Sequence, residues 1–557
     1  MRKYVITAAM FLASAGFVLN AQNAVKAPVA AVVEDKAPDN WFNLDPEQDK
    51  VPGMSVERAY KELLADKTSV KVVVAVIDSG VDAEHEDLKD VMWTNPGEIA
   101  GNGIDDDKNG YIDDVHGWNF IGGKDGKNVD QDTYEFVRVI NKFDAKFKGK
   151  DAASIAPADK ADFESYTKAV KEYDDKKNTM GGQYNFIKPI AETIDEDVAL
   201  VKKEFGLDVI TADKLPSLKT DKKDVKAALG NLRFMAVFGA KDDAEFVADI
   251  KEYYKYFADL VEYSLNKDFD PRNIVGDNYN DSSERNYGNN NVKGPDASHG
   301  THVAGIIGAN RKNTVGIKGV ADNVSIMAVR VVPNGDERDK DVANGIRYAA
   351  DNGAQIINMS FGKYFASDKK AVDEAVKYAQ SKGVLLIQAA GNDSYDLDAF
   401  GPHFPDRNYV GGGQAANWIV VGASSWKNDE DGVAGFSNYG KKSVDIFSPG
   451  VDIYSTTPDG QYKSNSGTSM ASPAAAGVAA VLKSYFPHLT PDQIKTIMLK
   501  SVKKQGKRKV VKPGTGGGPG AAPESVTFSA LCNTAGIVNL YEAVKLAKKV
   551  KVKKAKK

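Results

Sequence analysis

Six short runs of almost continuous Val and Ile, at residues 70–77, 324–332, 355–359, 384–389, 418–421 and 444–447, constrain this chain more than any other feature. A strand that is apolar on both faces is stable only in a sheet covered on both sides, which is the situation of a parallel sheet. Between several of these runs lie stretches of helical periodicity, at 301–309, 340–352 and 368–382. Strand alternating with helix predicts a three-layer α/β fold with a mainly parallel sheet and right-handed crossovers. Further helices are predicted near 56–65, after the turn-prone Pro52-Gly53, and at 538–546. Thr490-Pro491-Asp492-Gln493 supplies a cap, a proline at the first helical position and a capping-box partner, so a helix is predicted from there to about Ser501.

The pattern changes at 124–268, where Lys, Asp and Glu are dense and apolar residues recur at helical spacing in 160–175, 190–205, 221–238 and 244–264. This stretch reads as an inserted all-helical subdomain, with Tyr253, Tyr254, Tyr256, Phe257 and Tyr263 expected in its core rather than as a ligand platform. The insertion divides the layered domain into 70–123 and 269–545. Residues 503–512 are basic and 513–523 are rich in Gly, Pro and Ala, so both read as loop.

At the start of the chain, Arg2 and Lys3 precede an uncharged apolar stretch at 5–19, with small residues at Ala21 and Ala24. That order predicts a signal peptide over 1–21 and export to periplasm, cell envelope or extracellular space. The stretch is shorter than the roughly 20 residues a spanning helix needs, and no transmembrane segment is expected in the mature chain. An N-terminal segment follows at 22–69. The lysine-dense tail at 546–557 reads as a solvated basic end, the functional alternative being electrostatic association with an anionic envelope. With 73 Lys and Arg against 77 Asp and Glu, the chain has no global footprint for nucleic acid. The single Cys532 excludes an intramolecular disulfide framework and a cysteine-built zinc site.

Four segments carry chemistry. Val76-Ile77-Asp78-Ser79-Gly80 puts a carboxylate at the end of a buried strand, where ligands of open α/β sheets bind. His299-Gly300-Thr301-His302 opens a helix with an imidazole, Ala389-Ala390-Gly391-Asn392 leaves a strand with an amide, and Gly467-Thr468-Ser469-Met470-Ala471-Ser472-Pro473 places a hydroxyl at the start of a small-residue helix. His299 and His302 as zinc ligands would want a third ligand, which the segment lacks, so His302 is expected to be structural.

These segments, in this order, resemble the subtilisin-like serine proteases, and the last two match the family's motifs without change. The resemblance implies a serine endopeptidase that hydrolyses polypeptide substrates, with Asp78, His299 and Ser469 as the triad and Asn392 as oxyanion donor. It further implies that Ser360, Phe361 and Gly362 form an edge strand pairing with extended peptide, and that Ala390 and Gly391 line a primary pocket with room for large apolar side chains. The alternative from another class is a catalytically silent binding or envelope-scaffold protein that keeps the fold; a third reading is an esterase.

Asp105-Asp106-Asp107-Lys108-Asn109-Gly110-Tyr111-Ile112-Asp113-Asp114 places oxygen ligands at alternate positions with a glycine at a sharp turn, as in a calcium loop. It is not an EF-hand, because the twelfth position holds His116 rather than Glu. By similarity to calcium-binding members of the family, Asp105, Asp107, Asn109, the Tyr111 carbonyl and Asp114 are the expected ligands, with a second site through Asp87 and the loop starting at Asn313. Structural Ca2+ is thus expected, and no organic cofactor. The stretch between Asp78 and His299 is far longer than the few dozen residues usual in the family, and the insertion accounts for it. Since both its flanks carry triad segments, it is expected to gate or select substrates. Residues 22–69 do not resemble the family's fold-assisting propeptide.

Overall fold

The computed structural model describes residues 37–516 and 522–551. The predicted signal peptide and half of the lysine-rich tail, 552–557, lie outside them. Of the described residues, those within Asp35–Glu135 and Asp270–Lys557 form one compact unit and those within Phe136–Phe269 another.

In the first unit the strands are β1 (Val72–Asp78), β2 (Gly117–Asn119), β3 (Val324–Arg330), β4 (Ile356–Met359), β5 (Leu385–Ala389), β6 (Trp418–Ser424), β7 (Ile446–Pro449), β8 (Ile453–Thr457), β9 (Gln461–Asn465), β10 (Lys503–Lys504), β11 (Lys509–Val511), β12 (Ser525–Thr527) and β13 (Gly536–Ile537). Nine form one sheet in the order β10-β13-β7-β6-β5-β4-β1-β3-β2, parallel except for the β10/β13 pair. Its strands β1, β3, β4, β5, β6 and β7 come from the Val- and Ile-rich runs, and the alternation of β1 shows why those runs had to be apolar throughout. Val72, Val74 and Val76 enter the core on one face, while Ala75 and Ile77 enter the core on the other. Each of the Val and Ile side chains contributes about 1.5–3 kcal/mol by leaving water, so a polar residue at any of these positions would remove the reason for the strand.

Helices α1 (Ser298–Gly308) and α4 (Thr468–Tyr485) cover the first face, and α2 (Asp339–Asp351) and α3 (Lys369–Ser381) the second. The result is a three-layer α/β architecture. The helix Pro491–Lys500 starts with the predicted capping box, Thr490 and Gln493 each bonding the other's backbone. The basic stretch expected as loop instead supplies β10 and β11, because Lys509 to Val511 pair antiparallel with Ser525 to Thr527 of β12 beyond the Gly-rich segment.

Strand order positions the site. β1 pairs with both β3 and β4, and β4 with β5, all parallel, so Asp78, Ser360 and Ala390 leave the sheet at the same edge. This is the crevice at carboxyl strand ends where α/β sheets bind ligands.

The second unit contains only helices among its described elements, the longest being Lys160–Phe205. The sequence reading places separate helices at 160–175 and 190–205, and between them lie Gly181-Gly182 and Pro189, poor helix formers. Packing overrides propensity here: between Gly182 and Pro189, Ile187 is fully buried and Tyr184 stacks on Tyr254, so the expected break itself is held by neighbours. The aromatic core is also narrower than expected. Phe257 is buried, but Tyr256 is 54% exposed because it faces outward, one residue around the helix from Phe257.

Candidate active site

Asp78 ends β1 with its side chain buried, and its Oδ1 accepts hydrogen bonds from its neighbour's amide, Ser79 N, at 2.8 Å and from His299 Nδ1 at 2.6 Å. Since a carboxylate only accepts, Nδ1 carries the proton and Nε2 is left as the acceptor. His299 reaches Asp78 because α1 begins against β1. A side chain at Gly300 would place its Cβ 2.1 Å from Gly80 O, so glycine alone allows that approach. Burial opposes protonation of the His299 ring, but the charge of Asp78, its hydrogen bond and the nearby Asp296 outweigh this and raise the pKa above the ordinary 6.5. His302, one turn along, is buried with Nε2 against Lys463 O, and burial pushes its pKa down to about 4. It is a neutral packing residue.

Ser469 sits in the first turn of α4. Its Oγ donates to Ser360 O at 3.0 Å, and Ser360 Oγ donates back to Ser469 O at 2.9 Å. Asp78, His299, Ser360 and Phe361 line one cleft of about 310 Å³, so the Asp–His pair and the partner of Ser469 open into the same space. The hydroxyl proton is bonded to Ser360 O, not to His299, so proton transfer to Nε2 requires the hydroxyl to reorient.

Asn392 has its amide orientation set by chemistry. Oδ1 accepts from Thr468 N at 2.8 Å and from Thr468 Oγ at 2.9 Å, which leaves Nδ2 available on the side of Ser469. The amide of Ser469 belongs to the first turn of α4, where N–H groups have no intrahelical acceptor and the helix dipole favours negative charge. Both groups border one spot: a Cβ on Gly467 would lie 3.5 Å from Asn392 Nδ2 and 3.6 Å from Ser469 N.

Sequence reasoning missed the residues that hold these groups. Asn358, fully buried in β4, donates to Ser360 Oγ at 3.0 Å and accepts from Ser472 Oγ at 2.7 Å, tying β4 to α4 behind Ser469. Asn438 donates to Ala390 O at 2.8 Å and accepts from Asp393 N and Tyr395 N, fixing the segment around Asn392. Ser472 and Thr468 lie inside a quoted motif and were legible; nothing in the sequence singles out Asn438. Beside Gly391 stand Asn438 and His403: a Cβ there would lie 2.4 Å from Asn438 Nδ2 and 3.1 Å from His403 Nε2.

Among the described residues, Glu98, Asp105 and Asp107 bring carboxylate oxygens within 4.8 Å of one another. Glu98 is the member the sequence did not reveal. Asn109 caps the loop through its own backbone and its Nδ2 bonds to Asp107 and Asp114. Tyr111 is buried by its ring against Trp118 and Tyr348. Asp114 is turned inward: burial raises its pKa to about 6, while hydrogen bonds from Tyr348, Asn95 and Asn109 occupy its oxygens. At the second place, Asp87 accepts from Asn313 Nδ2 at 2.7 Å and from Ile317 N at 3.0 Å, and Asn313 Oδ1 is buried without a hydrogen-bond partner. Burial raises the pKa of Asp87.

Residues 69–518 match the model of the Subtilase family. The chain is 44% identical over 188 residues, 34% of its length and 43% of the relative's, to a thermophilic serine proteinase of Bacillus sp. (strain AK1). It is 44% identical to thermitase of Thermoactinomyces vulgaris over 33% of this chain and 61% of that one. The aligned parts span about half the length of such relatives. A solved structure described as proteases from Pseudoalteromonas arctica PAMC 21717 is 29% identical, covering 45% of this chain and 70% of that one with a TM-score of 0.35.

Proposed function

This chain belongs to the subtilase family, and from that premise we propose that it is an exported serine endopeptidase that cleaves polypeptides through an acyl-enzyme on Ser469. The observation that carries the reading is the 2.6 Å bond between Asp78 and His299 Nδ1, which leaves Nε2 as a base facing the cleft shared with Ser360.

Ser469 Oγ turns from Ser360 O, gives its proton to His299 Nε2 and attacks the scissile carbonyl carbon. Asp78 stays ionised and stabilises the imidazolium. The carbonyl oxygen takes up charge between Asn392 Nδ2 and Ser469 N–H, donors already oriented before substrate arrives, so no reorganisation opposes the step. Collapse of the intermediate passes the proton from His299 to the leaving amine. Water then attacks the acyl-enzyme with His299 as base and releases the acid. The substrate lies extended along Ser360, Phe361 and Gly362, with recognition largely through backbone.

Calcium is the structural ion of this reading, held by Glu98, Asp105 and Asp107, with Asp87 and Asn313 as a second place. Hard oxygen donors on surface loops suit it. Bound there, it would tie down loops in a chain that has no disulfide.

A fluorophosphonate probe tests the proposal. Labelling of Ser469 in the wild type that disappears in His299→Ala, together with cleavage of a denatured protein, supports it; folded protein that neither labels nor cleaves refutes it. Export is tested by sequencing the N-terminus of the protein recovered outside the cytoplasm.

A further inference from the structure

The chain that leaves Asn392 returns beside the site. Lys363 and Phe404 exchange backbone hydrogen bonds, Lys363 N to Phe404 O at 2.9 Å and Phe404 N to Lys363 O at 2.7 Å. Gln388, buried in β5, donates its side-chain amide to His403 O at 3.3 Å. These bonds pin His403 next to Gly362. A Cβ built on Gly362 would lie 2.2 Å from His403 Cε1 and 2.5 Å from Nε2, and one on Gly391 would lie 3.1 Å from the same Nε2. The imidazole therefore fills the gap between 360–362 and 390–392.

We propose that His403 closes the pocket for the side chain on the acyl side of the scissile bond, so that cleavage follows small residues such as Gly, Ala and Ser and not large apolar ones. The inference deepens the peptidase reading and rests on it. The attacked carbon must sit at Ser469 Oγ with its oxygen between Asn392 and Ser469 N–H. The side chain one bond away is then flanked by the two segments that carry these groups. One is 360–362, whose first carbonyl is bonded to Ser469 Oγ, and the other is 390–392, which ends in the amide donor. The space between them is the space the imidazole occupies.

The ring has little freedom to give way. His403 is 8% exposed, and the Tyr364 ring lies 5.3 Å from it, with the Tyr364 hydroxyl held by Asn438 Nδ2 at 2.9 Å. Burial also pushes the His403 pKa down to about 4, so the ring is neutral at ordinary pH and does not recruit an acidic side chain by charge.

Peptide anilides that differ only in the residue before the scissile bond, Ala, Ser, Leu or Phe, test this on the full chain. For the wild type, kcat/KM for Ala and Ser exceeds that for Leu and Phe, and His403→Ala raises the Phe-to-Ala ratio on the order of 10²-fold, the discrimination a filled pocket gives. A wild type that cleaves after Phe or Leu as readily as after Ala overturns the proposal, as does a folded His403→Ala with an unchanged ratio. If His403→Ala does not fold, His403→Asn, which keeps a polar group in less volume, replaces it, and the wild-type ranking decides by itself. Labelling of Ser469 with cleavage after large residues overturns this proposal alone; no labelling and no cleavage of any peptide overturns the peptidase reading as well.

Discussion

Burial and charge pull His299 in opposite directions, and charge prevails. The ring must be neutral to accept the Ser469 proton, so kcat/KM should fall as pH drops through an apparent pKa above 6.5. Asp296 is among the groups that raise it, so Asp296→Asn should move this acid limb to lower pH, read from the pH profile of kcat/KM. The same shift adds stability below the unfolded value, and that contribution is lost as pH rises through the folded pKa. Asn392→Ala should lower kcat about 10²–10³-fold with little change in KM, a magnitude carried over from subtilisin itself, and Thr468→Val, which loosens only one of the bonds orienting Asn392, should lose less. Steady-state kinetics on one peptide checks both. At this scale the groups proposed to react were legible, because each sits in a motif of several constrained neighbours. Asn438 and His403 were not: each acts through a tertiary contact made by a loop whose own residues carry no pattern.

The helix Pro491–Lys500 is the element whose start was most legible. Its capping box forms as its four residues imply, so Thr490→Ala should cost about 1 kcal/mol, measured as a lower denaturant midpoint at unchanged slope. The interior strands were legible for a related reason, since a run that is apolar at every position has few places to go except a covered sheet. Elements that depend on partners were not. β11 and β12 are three residues each and exist because they pair with one another. The helix Lys160–Phe205 runs through glycines and a proline that local preference counts as stops, because the residues around them are held by packing.

Across the whole molecule, stability without disulfides should lean on bound calcium. At a calcium concentration about 100-fold above its Kd the ion contributes about 2.7 kcal/mol, so chelation should lower the melting temperature and restored calcium should raise it again. Glu98→Gln should blunt that response. A second ordering feature lies in ion pairs of the layered unit, buried except at Asp270, which is 67% exposed. Arg338 binds Asp132 and Asp270, and Lys363 binds Glu135 and Asp339, all within 2.9 Å. Arg272 and Lys340 both reach Asp277, and Arg272 also holds Asp341. Glu135 and Asp270 are the last and first residues of the layered unit on either side of the helical stretch. Both are gripped around the start of one helix, so the two chain ends they carry keep a set spacing whatever is spliced between them. The layered unit thus offers a ready-made socket for an inserted stretch, with little penalty for closing the loop.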